Sequence, residues 1–429
     1  MKPAADSVAR GSLVNLATRL LAVAMGLVIT LYTARLGTAQ QGSFALFMAV
    51  ESVLLAAASG FGVAIARRMS HHGEHPAGLV GASVLACVLI GLSTGGGLLL
   101  VSAMADGQGY QMLWLLALAA PLMFVPPNLY GLWLGTGRMM GLARLTLAPP
   151  LLTLAGLAAA ALLGGTAGLT TVLAAWVGAR VLVALATLVA AHRAGWLGRP
   201  QPHMLIHDWR FIAVIGLTNL VSLMNYKVDI FLVEHYLGLS TTGVYSIAVM
   251  VAELLWLVSS SVTTAAYARI GTPDAAEARR ITVRAVHASV LLLLALSPLL
   301  WLVAAWLVPA LLGPAYEVSL QVLAVLLPGV ALFGAASALS AWFTNHAGRP
   351  SVPAVLASTS LLLNVVISML LIPRWGMLGA AVATTISYSV TVVLAGAWFL
   401  RASGASARSL LLPDWRALAA DVARLRRRT

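Results

Sequence analysis

Six ionisable residues lie inside long apolar stretches of this 429-residue sequence, and they are the side chains best placed for chemistry. They are Arg19, Glu51, Arg180, Lys227, Asp229 and Glu253. A charge in hydrocarbon is costly, so such a residue normally faces a water-filled cavity or an opposite charge. An arginine or lysine there could hold an anionic group, and a carboxyl group removed from water could carry a proton.

Uncharged polar residues accompany these charges at helical spacing, which predicts polar stripes along three helices. The stripes are Asn15, Arg19, Gly26, Thr30 and Thr33 in the first apolar run, Thr218, Ser222, Asn225 and Asp229 in the seventh, and Ser246, Glu253, Ser260 and Thr264 in the eighth. Lys227 lies nearly opposite Asp229 on an ideal helix, so these two need not form a pair. We expect the first two stripes to line one central cavity.

Composition shows what kind of element must carry these residues. The sequence is 60% hydrophobic and 9% charged, with a mean hydropathy of +0.94. Soluble domains are about 25% charged, so this chain has too few charges to give a soluble protein of its size a polar surface. The net charge of +13 does not indicate nucleic-acid binding, because the basic residues lie at the ends of apolar runs, as topology determinants do.

A membrane-spanning helix needs about 20 apolar residues, and the sequence contains twelve such runs. They cover 13–34, 42–66, 78–103, 112–134, 145–164, 167–191, 210–233, 243–268, 283–308, 315–340, 351–373 and 377–400. Gly164, Gly165 and Thr166 separate the fifth run from the sixth, since a fused helix would be far too long for one crossing. The sequence therefore predicts an all-α polytopic membrane protein with twelve transmembrane helices.

The basic residues predict the orientation of these helices. With the N-terminus in the cytoplasm, 21 of the 26 lysine and arginine residues fall in cytoplasmic segments, and only Arg35 and Arg374 fall in outside loops. Cytoplasmic loops carry such an excess of basic residues. We therefore expect a multi-pass protein of a bacterial inner membrane with both termini in the cytoplasm.

Matching blocks in the two halves predict an internal repeat. Leu36-Gly37 and Leu237-Gly238 are 201 residues apart, whereas Gly137-Arg138 and Gly348-Arg349 are 211 apart. A repeat of six helices enters the membrane twice from the same side, so the two lobes form a parallel pseudo-two-fold repeat. The predicted parts are an N-terminal lobe (1–191), a cytoplasmic linker (192–209), a C-terminal lobe (210–401) and a basic cytoplasmic tail (402–429).

The tail has an apolar period of its own. Trp415, Leu418, Val422 and Leu425 recur at helical steps beside several arginines. Such a segment could form a helix that lies on an anionic membrane surface. The alternative is a disordered basic tail that only orients the last span.

Three stretches carry a family resemblance. They are ARLGTAQQGSFALFMAVESVLLAAASGFGVAIARRM, YKVDIFLVEHYLGLSTTGVYSIAVMVAELLWLVSSSVTTAAYARI and IPRWGMLGAAVATTISY. They resemble the region of helices 1 and 2, the region of helices 7 and 8, and the loop into the last core helix of bacterial polysaccharide flippases. These O-antigen and exopolysaccharide translocases belong to the multidrug/oligosaccharidyl-lipid/polysaccharide exporter superfamily. The resemblance implies that the chain moves polyprenyl-diphosphate-linked oligosaccharide from the cytoplasmic to the outer leaflet by alternating access.

A diphosphate headgroup needs cations, which assigns roles to the intramembrane residues. The substrate-binding candidates are Arg19 first, Lys227 second, and the neighbouring Asn15 and Asn225; the coupling candidates are Asp229, Glu51 and Glu253. An arginine can offer two parallel donors to two phosphate oxygens, whereas a lysine offers a point charge. The alternative is that these charges only fix helix packing, and Arg180 is assigned to packing within its lobe or to a cavity edge.

Other functions are less well supported by the sequence. The chain has no phosphate-binding GxxxxGK[ST] motif, and no cofactor is expected. His71, His72, Glu74 and His75 lie in a short loop and predict no metal site. The alternatives are a cation-coupled multidrug exporter of the same superfamily and, less favoured, a membrane glycosyltransferase or polymerase. Expected partners are the lipid-linked oligosaccharide, membrane lipids, and the polymerase and glycosyltransferases of its pathway; the protein is expected to be a monomer.

Overall fold

Helices make up nearly the whole of the protein. The computed structural model describes residues 8–71, 76–105, 109–136, 139–164 and 168–412, and every regular element in those ranges is a helix. The helices are α1 (Val8–Leu36), α2 (Thr38–Ala57), α3 (Gly60–His71), α4 (Ala77–Met104), α5 (Leu113–Met123), α6 (Val125–Gly135), α7 (Met139–Leu162), α8 (Leu169–Arg193), α9 (Pro202–Glu253), α10 (Leu255–Ile270), α11 (Ala275–Leu312), α12 (Val318–Ala341), α13 (Ser351–Trp375), α14 (Met377–Ser403) and α15 (Ala407–Leu411). Short 3₁₀ turns precede α5 and α12, and a π-helical turn follows α12.

The number of membrane-length helices agrees with the number predicted from the sequence. By length and composition, eleven continuous helical stretches of the described chain could cross a membrane. One of them, Pro202–Tyr267, is 66 residues long and is interrupted at Gly238, where φ is 78°. Counting it as two gives twelve crossings, which confirms the predicted all-α polytopic fold. The predicted separation of the fifth and sixth spans is also confirmed, since α7 ends at Leu162 and α8 begins at Leu169.

The second predicted span, 42–66, is not one continuous helix. The chain turns at Ala58 and Ser59, between the end of α2 and the start of α3. Gly60 lies directly against the backbone carbonyl of Ile212, where a Cβ atom would clash. Gly60, at the start of α3, thus allows a close approach to Ile212 that a side chain with a Cβ atom would block.

The described residues cluster into two compact units, Met1–Leu223 and Met224–Thr429. The dividing point lies within α9 because the chain around its start packs on the first unit. Gly198 donates its N–H to the Ala77 carbonyl at 3.1 Å, and Asp208 forms a 2.7 Å ion pair with Arg68. Most of the segment predicted as a linker, 192–209, thus lies against the first unit. The amphipathic segment predicted from Trp415 to Leu425 lies wholly outside the described residues, which end at 412.

The two Leu-Gly blocks occupy comparable places in their units. Gly37 has a φ of 135° and precedes α2, and Gly238 has a φ of 78° and interrupts α9. Both values lie in a region that side chains with a Cβ atom rarely adopt. The shared Leu-Gly pattern is therefore explained by two helix junctions that need glycine.

The orientation can be tested with reporter fusions. A periplasm-active reporter fused after residue 429 is expected to be inactive, and the same reporter fused near Gly107 is expected to be active, because basic residues are retained in the cytoplasm. Activity of both fusions would show that the predicted number of crossings before one of them is wrong by an odd number.

Candidate functional site

Two intramembrane charges of the second unit form an ion pair. The Lys227 Nζ atom lies 2.8 Å from Glu253 Oε1, and the two side chains are 24% and 28% exposed. Both residues belong to α9, but they lie on opposite sides of the Gly238 interruption, which brings them together. Lys227 thus pairs with Glu253 rather than with Asp229, in agreement with their nearly opposite positions on an ideal helix.

Asp229 is buried and bound by neutral groups. The Tyr245 hydroxyl donates to Asp229 Oδ2 at 2.7 Å, and the Ile230 N–H donates to Oδ1 at 2.9 Å. The side chain is only 4% exposed, and it has no ion-pair partner in the part of the chain that the structure describes. An ionised carboxylate without a counter-charge is expensive to bury. A proton or small cation bound at Asp229 would therefore relieve a cost of burial.

A chain of hydrogen bonds extends from Asp229 to two further helices. Thr384 of α14 interacts with the Tyr245 hydroxyl and accepts from Asn364 Nδ2 of α13 at 3.2 Å. The Ser368 hydroxyl donates to Asn364 Oδ1 at 2.9 Å. All of these side chains are buried. The network joins α9, α13 and α14 and gives Asp229 a rigid polar surrounding.

Aromatic rings cover one side of these carboxyl groups. Tyr226 contacts Trp256 at 4.5 Å between ring centroids, and Phe333 stacks on Tyr388 at 4.2 Å. A cavity of about 20 Å³ remains among the rings, Asp229, Glu253 and Thr384. About 10–15 Å³ is enough for one water molecule, so the cavity has room for a single water or bare ion but not for a drug or sugar.

Among the described residues of the second unit, five buried side-chain polar atoms lack a hydrogen-bond partner, and two of them belong to residues at this site. These two are Asn225 Oδ1 and Trp256 Nε1, and Trp256 lines the cavity. Asn225 is 2% exposed, and its backbone carbonyl accepts from the Tyr388 hydroxyl at 3.3 Å. Such orphaned groups are uncommon in folded proteins and often mark a bound water or ion.

Both carboxylate oxygens of Glu51, in the first unit, accept hydrogen bonds. Glu51 is 1% exposed, and its Oε1 accepts from Arg180 Nε at 2.8 Å. Its Oε2 accepts from Trp176 Nε1 at 2.9 Å, and the Arg180 guanidinium also lies over the Trp176 ring at 4.5 Å. The three side chains join α2 to α8. This geometry matches the packing alternative for both charges, although Glu51 stays among the coupling candidates.

Glu51→Gln is expected to destabilise the first unit. The substitution leaves the Arg180 guanidinium without its counter-charge, and breaking a buried pair costs about 3–5 kcal/mol. We expect the lower end of that range, because the Arg180 side chain is 26% exposed. Unfolding of the purified protein in a denaturing detergent titration measures the loss. In the double variant Glu51→Gln/Arg180→Gln much of the stability should return; a stable but inactive Glu51→Gln protein would instead indicate a coupling role.

Arg19 and Asn15 lie exposed on α1. Both side chains are exposed, as are their neighbours Leu16 and Leu20 at 39% and 49%. Arg19 has no ion-pair partner among the residues that the structure describes. The predicted stripe becomes buried towards its other end, where Thr33 is 0% exposed and donates to Gln41 Oε1 at 2.7 Å. Of the three basic residues inside the apolar runs, Arg180 and Lys227 are paired with acids, whereas Arg19 is exposed.

The hydrogen-bond network around Asp229 also contains uncharged residues that the sequence analysis did not identify as site residues. Tyr245, Asn364, Ser368 and Thr384 surround Asp229, yet none of them is charged at neutral pH. A sequence signal was present, since Asn364 and Ser368 are four residues apart in one apolar run, and Thr384 and Tyr388 are four apart in the next. Polar pairs at that spacing share a helix face.

These helices and the polar groups buried among them define a multi-pass α-helical membrane protein with the fold of solved transporters. A multidrug resistance transporter of the MATE family and MOP superfamily, in an inward-facing conformation, matches with a TM-score of 0.75 and 16% identity over 89% of this chain and 94% of that chain. Lipid II flippase MurJ, in an inward closed conformation, matches with a TM-score of 0.73 and 14% identity over 94% of this chain and 89% of that one. A MOP-superfamily transporter from Pyrococcus furiosus gives 0.67 at 15% identity, over 92% and 94%. No protein-family model and no curated protein sequence matches the chain.

Proposed function

We propose that the protein is a flippase that moves a polyprenyl-diphosphate-linked oligosaccharide from the cytoplasmic to the outer leaflet for surface polysaccharide biosynthesis. The fold it shares with a lipid II flippase supports this proposal. The three sequence stretches that resemble polysaccharide flippases support it as well. On this proposal the protein lies in a bacterial inner membrane, acts without a cofactor, and receives its substrate from the glycosyltransferases of the pathway.

The proposal depends on which of the charged side chains form ion pairs among the described residues and which do not. The six intramembrane charges are balanced in number, but two pairs cancel, Glu51 with Arg180 and Lys227 with Glu253. The remaining cation, Arg19, is exposed, whereas the remaining acid, Asp229, is buried beside a cavity of about 20 Å³. An exposed cation with no ion-pair partner among the described residues suits an anionic diphosphate, and a buried acid suits a proton or small ion.

The mechanism we propose is alternating access between the two six-helix lobes. Arg19 holds the diphosphate through two parallel hydrogen bonds, with Asn15 one helical turn away. The glycan passes through the water-filled cavity while the polyprenyl tail stays in lipid. Protonation or cation binding at Asp229 changes the charge of the second lobe and couples its motion to an ion gradient. The protein thereby replaces the hydration that the headgroup would lose in hydrocarbon.

A multidrug exporter is the second candidate, and the MATE-family structural match favours it. Such an exporter would need an accessible acidic site for a cationic drug. Two of the three intramembrane acids are neutralised by ion pairs. The third, Asp229, is buried. We therefore rank drug export below lipid-linked oligosaccharide transport.

Complementation distinguishes the two candidates. A strain that lacks its polysaccharide flippase is supplied with this chain, and surface polysaccharide and drug susceptibility are measured in the same cells. We expect surface polysaccharide to return with no change in drug susceptibility. Drug resistance without polysaccharide would contradict the proposal and favour the exporter.

A further inference from the structure

A pocket of about 660 Å³ lies at the start of α11, in the second unit. One wall is the first turns of α11, and the other is the segment 404–412 that follows α14. None of its lining residues belongs to the polar cluster around Asp229. The pocket is thus a separate feature, to which the proposed transport function assigns no role.

Three arginines give the pocket a positive character. Arg279, Arg280 and Arg284 line it from the second and third turns of α11. Its two carboxylates are Asp274 and Glu277, and the Asp274 side chain is occupied by hydrogen bonds from the first amides of α11. Glu277 lies 3.9 Å from Arg280 and also 3.9 Å from Arg269, which does not line the pocket. Among the described lining residues, the cations therefore exceed the carboxylates.

The two walls are joined by side-chain contacts. Arg279 Nη1 donates to the Ser403 carbonyl at 3.2 Å, and His287 Nε2 lies 2.8 Å from the Leu410 carbonyl. These contacts fix the shape of the pocket. Arg280, in contrast, keeps 61% of its side chain exposed and is available to a ligand.

The pocket lies at the depth of lipid headgroups. Residues 288–312 of α11 contain no charged side chain. At about 1.5 Å per residue this stretch is longer than the roughly 30 Å hydrocarbon core. The arginines therefore lie just outside the hydrocarbon. With the orientation predicted from the basic residues, they face the cytoplasmic leaflet.

We propose that this pocket binds the phosphate headgroup of an anionic phospholipid. Arginine side chains suit phosphate because their planar donors engage two oxygens at once. Basic pockets at the cytoplasmic ends of membrane helices bind anionic lipid headgroups. The apolar side chains of Val283 and Leu412 also line the pocket, and they suit the glycerol and first acyl carbons of a lipid better than a free anion.

Native mass spectrometry of the full chain in detergent tests this proposal. The probes are phosphatidylglycerol, phosphatidylcholine and water-soluble glycerophosphate. We expect retention of phosphatidylglycerol in preference to the other two. Arg280→Gln/Arg284→Gln should weaken it about 25-fold, since each basic residue near a charged surface contributes about a fivefold factor. Arg269→Gln is the matched control, because it removes the same charge beside Glu277 from outside the pocket.

The outcomes separate the sources of binding. The site is supported if the double variant loses phosphatidylglycerol binding while Arg269→Gln binds this lipid within twofold of the wild-type protein. The proposal would be overturned if the protein retained phosphatidylcholine as well as phosphatidylglycerol, or if the double variant bound phosphatidylglycerol as well as the wild-type protein. It would also be overturned if Arg269→Gln weakened binding as much as the double variant does. Competition by glycerophosphate at the same concentration would show a site for free phosphate and not for lipid. Should the double variant fail to fold, Arg280→Gln alone provides the test, with an expected loss of about fivefold.

Discussion

Arg19→Ala is expected to reduce surface polysaccharide to the level of cells without a flippase, while the protein still reaches the membrane. Hydrogen bonds to charged groups contribute about 1.5–3 kcal/mol each, so losing two of them should lower export more than tenfold. Arg19→Lys should restore only part of the export, since an ammonium group cannot present two parallel donors. Surface polysaccharide and membrane-protein level are measured together in a flippase-deficient strain.

The matched control for this experiment is Arg374→Ala. Arg374 is also exposed on a helix, and its side chain donates to the Leu370 carbonyl of the same helix. Its removal is expected to leave export nearly unchanged. If Arg19 only extends to the membrane surface, lysine should substitute fully and alanine should have little effect. Normal polysaccharide from the Arg19→Ala cells would remove Arg19 from the substrate site and make Lys227 the next candidate.

Asp229→Asn is expected to lower transport at least about tenfold without unfolding the protein. Asparagine has nearly the same shape and its oxygen can still accept the Tyr245 hydrogen bond, but it can neither carry the proton nor neutralise a cation. Transport should therefore become insensitive to the ion gradient that drives the wild type. Initial rates are measured in vesicles with and without imposed proton or sodium gradients.

Tyr245→Phe is the control for Asp229→Asn. It removes the hydrogen bonds of the hydroxyl to Asp229 and Thr384, about 1 kcal/mol each, but leaves the carboxyl group in place. Its transport should keep a gradient dependence, at a lower rate. An Asp229→Asn protein with the wild-type rate and the wild-type response to gradients would exclude Asp229 as the coupling group.

The sequence predicted the helices well because hydrophobic length is a local property. Runs of about 20 apolar residues bounded by charges or glycines suffice to place twelve crossings. The turn at Ala58 and Ser59 was not predicted, because the apolar run continues through it from 42 to 66.

The site could be predicted only in part. The charged residues were identified, but their partners were not. Glu51 and Arg180 are 129 residues apart in the sequence, so their contact is visible only once α2 and α8 have packed. Lys227 and Glu253 meet because the chain turns at Gly238. The equal numbers of acidic and basic residues did not distinguish an anionic from a cationic substrate. The ion pairs observed among the described residues do not include Arg19, which is exposed, or Asp229, which is buried.

Transport by the purified chain is the most direct test of the central claim. The protein is reconstituted into vesicles that contain a fluorescent polyprenyl-diphosphate oligosaccharide, and an external quencher reports the fraction of substrate in the outer leaflet. We predict that wild-type protein moves the labelled lipid between leaflets faster than empty vesicles do, and that Arg19→Ala protein does not. Movement no faster than in empty vesicles, together with uptake of an organic cation by the same vesicles, would contradict the proposed function.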